Sequence, residues 1–86
     1  MASTIWKTEL APTDKQFVEV PRGAQFLLGR DQYDKMCVWY RCDPEAPKEK
    51  RRIEIVGTGH AAPEDGQYVG TACLQGGHFM FHIFAW

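Results

Sequence analysis

Twelve residues, EKRRIEIVGTGH at positions 49–60, hold the chain's best candidate for chemistry. The adjacent Arg51 and Arg52 carry forked guanidinium donors of the kind that match phosphate oxygens. The Gly57-Thr58-Gly59 run can turn sharply and present successive backbone N–H groups, a concave arrangement that holds anions. Thr58 adds a hydroxyl, and His60 adds a ring that can donate or stack. These are the parts of a phosphate site. Their spacing matches neither a P-loop nor a dinucleotide fingerprint, because the further glycine and the following helix are missing. The bland reading of the same stretch is a strand with a solvated start and a tight turn. A second candidate lies in KMCVWYRC, where Trp39 and Arg41 fall on one strand face. They could give a nucleobase both stacking and charge, or serve as ordinary packing beside a peripheral cation.

Other chemistries fit less well. On a strand, His78 and His82 share a face but sit about 13 Å apart, too far to bind one zinc. Cys73, His78 and His60 could meet only through tertiary folding. Ser3 is the sole serine, which excludes a serine triad among the remaining residues. Nothing marks a cysteine as activated, and Glu64-Asp65 sits in a Pro/Gly loop with nothing to hold a metal. No catalytic residue, metal or cofactor is expected, so the protein reads as a binder and not an enzyme.

Strands have to position these residues, because helical periodicity is nearly absent. Candidate strands are 4–10, 16–20, 24–30, the KMCVWYRC segment, 51–57, 67–75 and 78–86, separated by Pro/Gly/Asp-rich turns. The expectation is an all-β fold, a small single-domain sandwich or barrel of about six or seven short antiparallel strands. Gly76-Gly77 reads as a two-residue hairpin loop, and Pro21-Arg22-Gly23 as a second hairpin. Parity puts Ile53 and Ile55 on one face with Arg52, Glu54 and Val56 on the other, so Arg51 and Arg52 diverge. The last strand is apolar on both faces, which makes it either central or shared with a second subunit.

At 86 residues the chain is one domain, spanning 1–86. A net charge of −1 excludes a general nucleic-acid coat but leaves room for a local basic site. The start, MASTIWKTEL, lacks a signal-peptide h-region, and no apolar run reaches the roughly 18 residues of a membrane span. The cysteines number three; Cys37 and Cys42 point to opposite faces of a strand, so free buried thiols are expected.

IWKTEL, DPEAPKEKRRIEIVGTGH and QYVGT…GGHFMFHIF resemble, in that order, a family of small phage-encoded proteins recorded as a domain of unknown function. KRRIEIVGTGH is the most specific element, while GRDQYDKMCVWYRC matches only in strand character. The resemblance implies an accessory phage protein in the host cytoplasm. By analogy with small phage β proteins, it implies an oligomer that sequesters a cyclic-nucleotide or ADP-ribose-type immune signal without cleaving it. The expected ligand site is then Arg51, Arg52, Gly57, Thr58, Gly59 and His60; the roles of Trp39 or Trp6 in stacking the base and of Arg41 in adding charge rest on the residues themselves and are not carried over from the resemblance. The alternative is a protein–protein interaction module that blocks a host defence protein or serves the virion. It would gather exposed aromatics such as Trp86 or Tyr33 into a patch and leave the basic residues scattered.

Overall fold

Apolar residues at every second position drive two sheets together over one core. In Lys15–Pro21, Val18 and Val20 are buried while Phe17 and Glu19 are exposed; in Lys48–Gly57, Ile53 and Ile55 are buried on either side of the half-buried Glu54, and Val56 is buried as well. The computed structural model describes residues 3–86. It contains seven strands: β1 Thr4–Glu9, β2 Lys15–Pro21, β3 Gln25–Gln32, β4 Lys35–Cys42, β5 Lys48–Gly57, β6 Gln67–Leu74 and β7 Phe79–Ala85. They form two antiparallel sheets, ordered β1-β4-β3 and β2-β5-β7-β6. The fold is all-β as expected, and of the two expected forms, sandwich or barrel, it is not the barrel: the two sheets do not close on each other. Val20, Val38, Ile53 and Ile83 are fully buried between them. The two-faced β7 is central, lying between β5 and β6. No helix among the described residues is long and apolar enough to cross a membrane.

Two turns differ from the sequence reading. VEVPRGAQF is not a hairpin, because β2 pairs with β5 and β3 pairs with β4. Pro21-Arg22-Gly23 instead carries the chain from one sheet to the other, with Arg22 N–H bonded to the Pro47 carbonyl. Gly76-Gly77 does lie between the paired strands β6 and β7, but Leu74 pairs with Phe79, so the loop is Gln75–His78. It forms a short 3₁₀ turn, and His78 therefore lies in the turn rather than on a strand face with His82. The tight two-residue hairpin is at Tyr33-Asp34, where Gln32 pairs with Lys35. Both turn residues hold positive φ, 51° and 60°, the geometry that suits the twist of a β-hairpin.

The sheets meet along one seam, between β3 and β6. A bulge between Phe26 and Leu28 turns Leu28 outward and Gly29 inward. A matching bulge lies between Tyr68 and Gly70. The two glycines let the backbones touch: a Cβ on Gly70 would stand 1.8 Å from the Gly29 carbonyl oxygen. Side chains reach across where no ladder forms. Asp31 Oδ1 accepts the Cys73 N–H at 2.9 Å, and Asp34 Oδ1 accepts the Gln75 N–H at 2.7 Å. All three cysteines are free, Cys37 and Cys42 buried as expected; Cys73, however, is exposed on edge strand β6.

Candidate functional site

The arginines diverge as parity requires. Arg51 turns into the mouth of the sandwich, lying 5.0 Å from the Phe26 ring centroid. Its Nε donates to the Trp86 carbonyl, and its Nη1 donates to the Ala24 carbonyl at 3.0 Å and to Glu49 at 3.3 Å. That guanidinium is occupied in tying the C-terminus to the β2–β3 turn. Arg52 turns outward, pairs with Glu54 and stacks 4.1 Å from the Trp86 ring centroid. Gly57–His60 lies at the other end of β5, about 20 Å along the strand from Arg51. The structure therefore does not bring Arg51 and Arg52 beside the Gly-Thr-Gly-His turn within one chain.

That turn has its own surroundings. β5 runs on past the end of β2, whose Lys15 pairs with Glu54, and a cleft of about 480 Å³ opens beside the overhang. Gly57, His60, Pro63 and Phe81 line it together with Lys15, Asp14 and Glu54. Two carboxylates against one lysine make it a poor phosphate cradle, even with Arg52 offsetting Glu54. Gly59 holds φ +93°, and the His60 N–H closes the turn on the Gly57 carbonyl. Thr58 faces away, with its hydroxyl 2.9 Å from His82 Nε2. His82 Nδ1 lies 3.0 Å from the Thr71 hydroxyl, which in turn meets the Tyr68 hydroxyl. The sequence reading did not anticipate this polar chain, because pairing across β5, β7 and β6 creates it.

Trp39 and Arg41 lie elsewhere, on the outer face of the three-stranded sheet. Register sets Lys7 and Leu28 on either side of Trp39, and Ile5 and Gln25 beside Arg41. Four cations on this face, Lys7, Arg30, Lys35 and Arg41, accompany one anion, Glu9. The face is thus net +3 in a chain of net −1. Lys35 and Glu9 form a loose pair at 3.7 Å, and Lys7 donates to Gln32. These long side chains roof Cys37, which is buried although it points outward. Burial pushes the thiols of Cys37 and Cys42 above their ordinary value, and neither behaves as an activated nucleophile.

Beside Trp39 a groove of about 460 Å³ runs to the Tyr33 turn, with Leu28, Arg30, Asp31 and Gln32 also lining it. Trp39 is half-buried, while Tyr33 is 89% exposed. Arg30 Nε donates to the Asp31 carbonyl, leaving its terminal amino groups unengaged among the described residues. The Cys73 amide pointing at Asp31 holds its carboxyl below the usual carboxylate range, aided by its own backbone N–H and by Arg30, against a small opposing effect of desolvation. Lys7, Leu28, Arg30 and Gln32 were not singled out from the sequence; only strand register assembles them around Trp39. Trp6, the other expected stacking residue, packs against the core and has Lys48 over its ring at 5.7 Å.

The outer face of the four-stranded sheet is different in character. Phe17, Tyr68 and Met80 are exposed there, and Tyr68 meets Phe84 edge-on at 5.6 Å. Among the described residues no three His, Cys, Asp or Glu side chains gather closely enough to hold a metal ion. Cys73, His78 and His60 form no such group.

A family model described as a domain of unknown function, DUF7352, matches residues 1–86, and the chain belongs to that family. No curated protein and no solved structure matches it.

Proposed function

We propose that this member of a family of unknown function is a non-catalytic protein that binds a phosphate-containing nucleotide on the outer face of its three-stranded sheet. The observation that carries the reading is the groove between Trp39 and Tyr33, set in a face of net +3. Trp39 offers a ring for stacking a base, Arg30 offers a free fork for phosphate, and Lys7 and Arg41 extend the positive field. The ligand class is a cyclic-nucleotide or ADP-ribose-type signal, held intact. A phage anti-defence protein acting in the host cytoplasm is the setting in which such a sponge has a use, and a homo-oligomer would multiply its sites. Gly57, Thr58, Gly59 and His60 flank a separate cleft, whose two carboxylates make it the weaker place for phosphate.

Calorimetry with a panel of nucleotides and cyclic nucleotides tests this, followed by heat denaturation and recovery of the ligand. Intact ligand is the expected outcome, and Trp39→Ala should weaken binding by about tenfold or more through lost stacking. Absence of binding across the panel at millimolar concentration would overturn the proposal. Recovery of a converted product would show an enzyme instead.

A second reading is favoured by the apolar residues Phe17, Tyr68 and Met80 exposed on the other sheet. There the protein would be an interaction module that blocks a host defence protein or serves the virion. It expects no nucleotide affinity, and partner binding that Phe17→Lys removes while Trp39→Ala leaves it intact.

A further inference from the structure

We infer that the site around Trp39 takes a nucleoside that carries phosphate on both its 3′ and its 5′ oxygen. The inference rests on the nucleotide reading above and names the phosphate arrangement that this reading leaves open. Strand register fixes the order of side chains along the outer face of the three-stranded sheet. Arg30 pairs with Cys37, Leu28 with Trp39 and Gln25 with Arg41, so Arg30 stands one step before Trp39 on this face and Arg41 one step after it. The groove leads from Trp39 past Arg30 to Tyr33, and Arg41 stands on the other side of Trp39 from it. At two residues per step the arginines are about 13 Å apart along the strand, with the tryptophan midway.

The cations of this face are not equally available. Lys7 donates to Gln32, and Lys35 pairs with Glu9. Arg30 has committed only Nε, to the Asp31 carbonyl at 3.2 Å. The ion pairs among the described residues are Lys35–Glu9, Arg51–Glu49 and Arg52–Glu54, so neither Arg30 nor Arg41 is in one, and both are exposed. The two uncommitted forks therefore flank the stacking ring, one at each end. Each fork matches the oxygens of one phosphate group in two parallel bonds. A base stacked on Trp39 sets its ribose beside the ring, and the 3′ and 5′ oxygens leave that ribose in different directions. Phosphates on both can meet Arg30 and Arg41, one each. A phosphate chain built on the 5′ oxygen alone leads its charge away on one side and engages one fork. A 3′,5′-cyclic monophosphate has a single phosphate and also engages one. The required chemistry occurs in a free nucleoside 3′,5′-bisphosphate and in each nucleoside of a cyclic dinucleotide.

Calorimetry on the unmodified protein compares the 5′-monophosphate, 5′-diphosphate and 3′,5′-bisphosphate of each of the four common nucleosides at one ionic strength. For the base that binds best, the bisphosphate should bind at least about tenfold more tightly than the other two, the gain that one more charge-assisted contact supplies. The diphosphate is the matched control, because it holds the same number of phosphates on one side of the ribose. Arg41→Ala should bring the bisphosphate down to about the monophosphate level, while the melting temperature stays within a few degrees of the parent. Cyclic di-AMP and cyclic di-GMP in the same series separate the two sources: tighter binding of a ring assigns the site to a cyclic dinucleotide, and tighter binding of a bisphosphate assigns it to the open form. A diphosphate that binds as tightly as the bisphosphate, or a bisphosphate affinity unchanged in Arg41→Ala, overturns the two-sided site and leaves the nucleotide reading standing. Binding of none of these ligands overturns both.

Discussion

Replacing Gly70 by alanine strikes a place where the two sheets touch backbone to backbone. The added Cβ would lie 1.8 Å from the Gly29 carbonyl oxygen and 2.9 Å from its carbon. Nothing there can rotate aside, so one strand must retreat by more than about 1 Å before the contact becomes tolerable. Such a shift also breaks the reach of Asp31 to the Cys73 N–H and of Asp34 to the Gln75 N–H, now 2.9 and 2.7 Å. Overpacking by one carbon costs about 1–3 kcal/mol where side chains can adjust, so the upper end, about 3 kcal/mol, is the expectation here. A domain of this size has about 4–13 kcal/mol of stability in total. At about 4–8 °C per kcal/mol, the melting temperature should fall by about 12–24 °C, read by far-UV circular dichroism and checked by urea unfolding. Gly76→Ala is the matched control: its φ is also positive, at 66°, but nothing lies within 4 Å, and about 1 kcal/mol is expected. A Gly70→Ala protein that melts within about 4 °C of the parent would refute the seam as described.

Gly66→Ala should also destabilise, by about 2–3 kcal/mol, since its Cβ would meet the Trp86 ring at 2.7 Å and its φ is +90°; loss of near-UV tryptophan dichroism checks it. Arg51→Ala strips donors from the Trp86 and Ala24 carbonyls and should cost about 1–2 kcal/mol in urea titration, whereas Arg41→Ala, on an exposed face, should cost under about 0.5. Burial raises the Cys37 and Cys42 thiols above the ordinary 9.0, so the folded state keeps protons that the unfolded chain releases. Their contribution is complete below about pH 9 and is lost as pH rises through the raised values, so stability should fall in alkali, less steeply in a Cys37→Ala variant. Cys73 should react first with a thiol reagent at pH 8, and the other two only on unfolding, which rate measurements will show.

The sequence made strand identity legible because each strand alternates strongly and is bounded by Pro, Gly or Asp. Pairing was less legible. Pro21-Arg22-Gly23 carries the turn chemistry of a hairpin, but whether the next strand joins the same sheet depends on where Val18 and Val20 find cover, which here is against the core beside β5. Tyr33-Asp34 does not read as a hairpin turn because it lacks the glycine that normally supplies positive φ. At the candidate site, Trp39 and Arg41 were visible as one face of one strand. Lys7 and Arg30 join them from β1 and β3, and register over long sequence separations is not written in local pattern. Arg51 shows the converse limit: parity gives the side it takes, but not that the Trp86 carbonyl, 35 residues on, will occupy it.

The seam and the groove share the same residues, and this bears on how the face can work. Asp31 and Asp34 flank Tyr33 and Gln32, and they are held by amides of β6 and of the turn that follows it, Cys73 and Gln75. A two-residue turn with positive φ at both positions would ordinarily be a mobile tip, and Tyr33 at 89% exposure has no packing of its own to fix it. The aspartates anchor that tip from beneath, so the fold itself holds the groove wall in place. The bulge in β3 serves the same end from the other side, since it turns Gly29 toward Gly70 and Leu28 out beside Trp39 in a single step. A close contact between the sheets and an open floor for the groove are therefore two consequences of one extra residue.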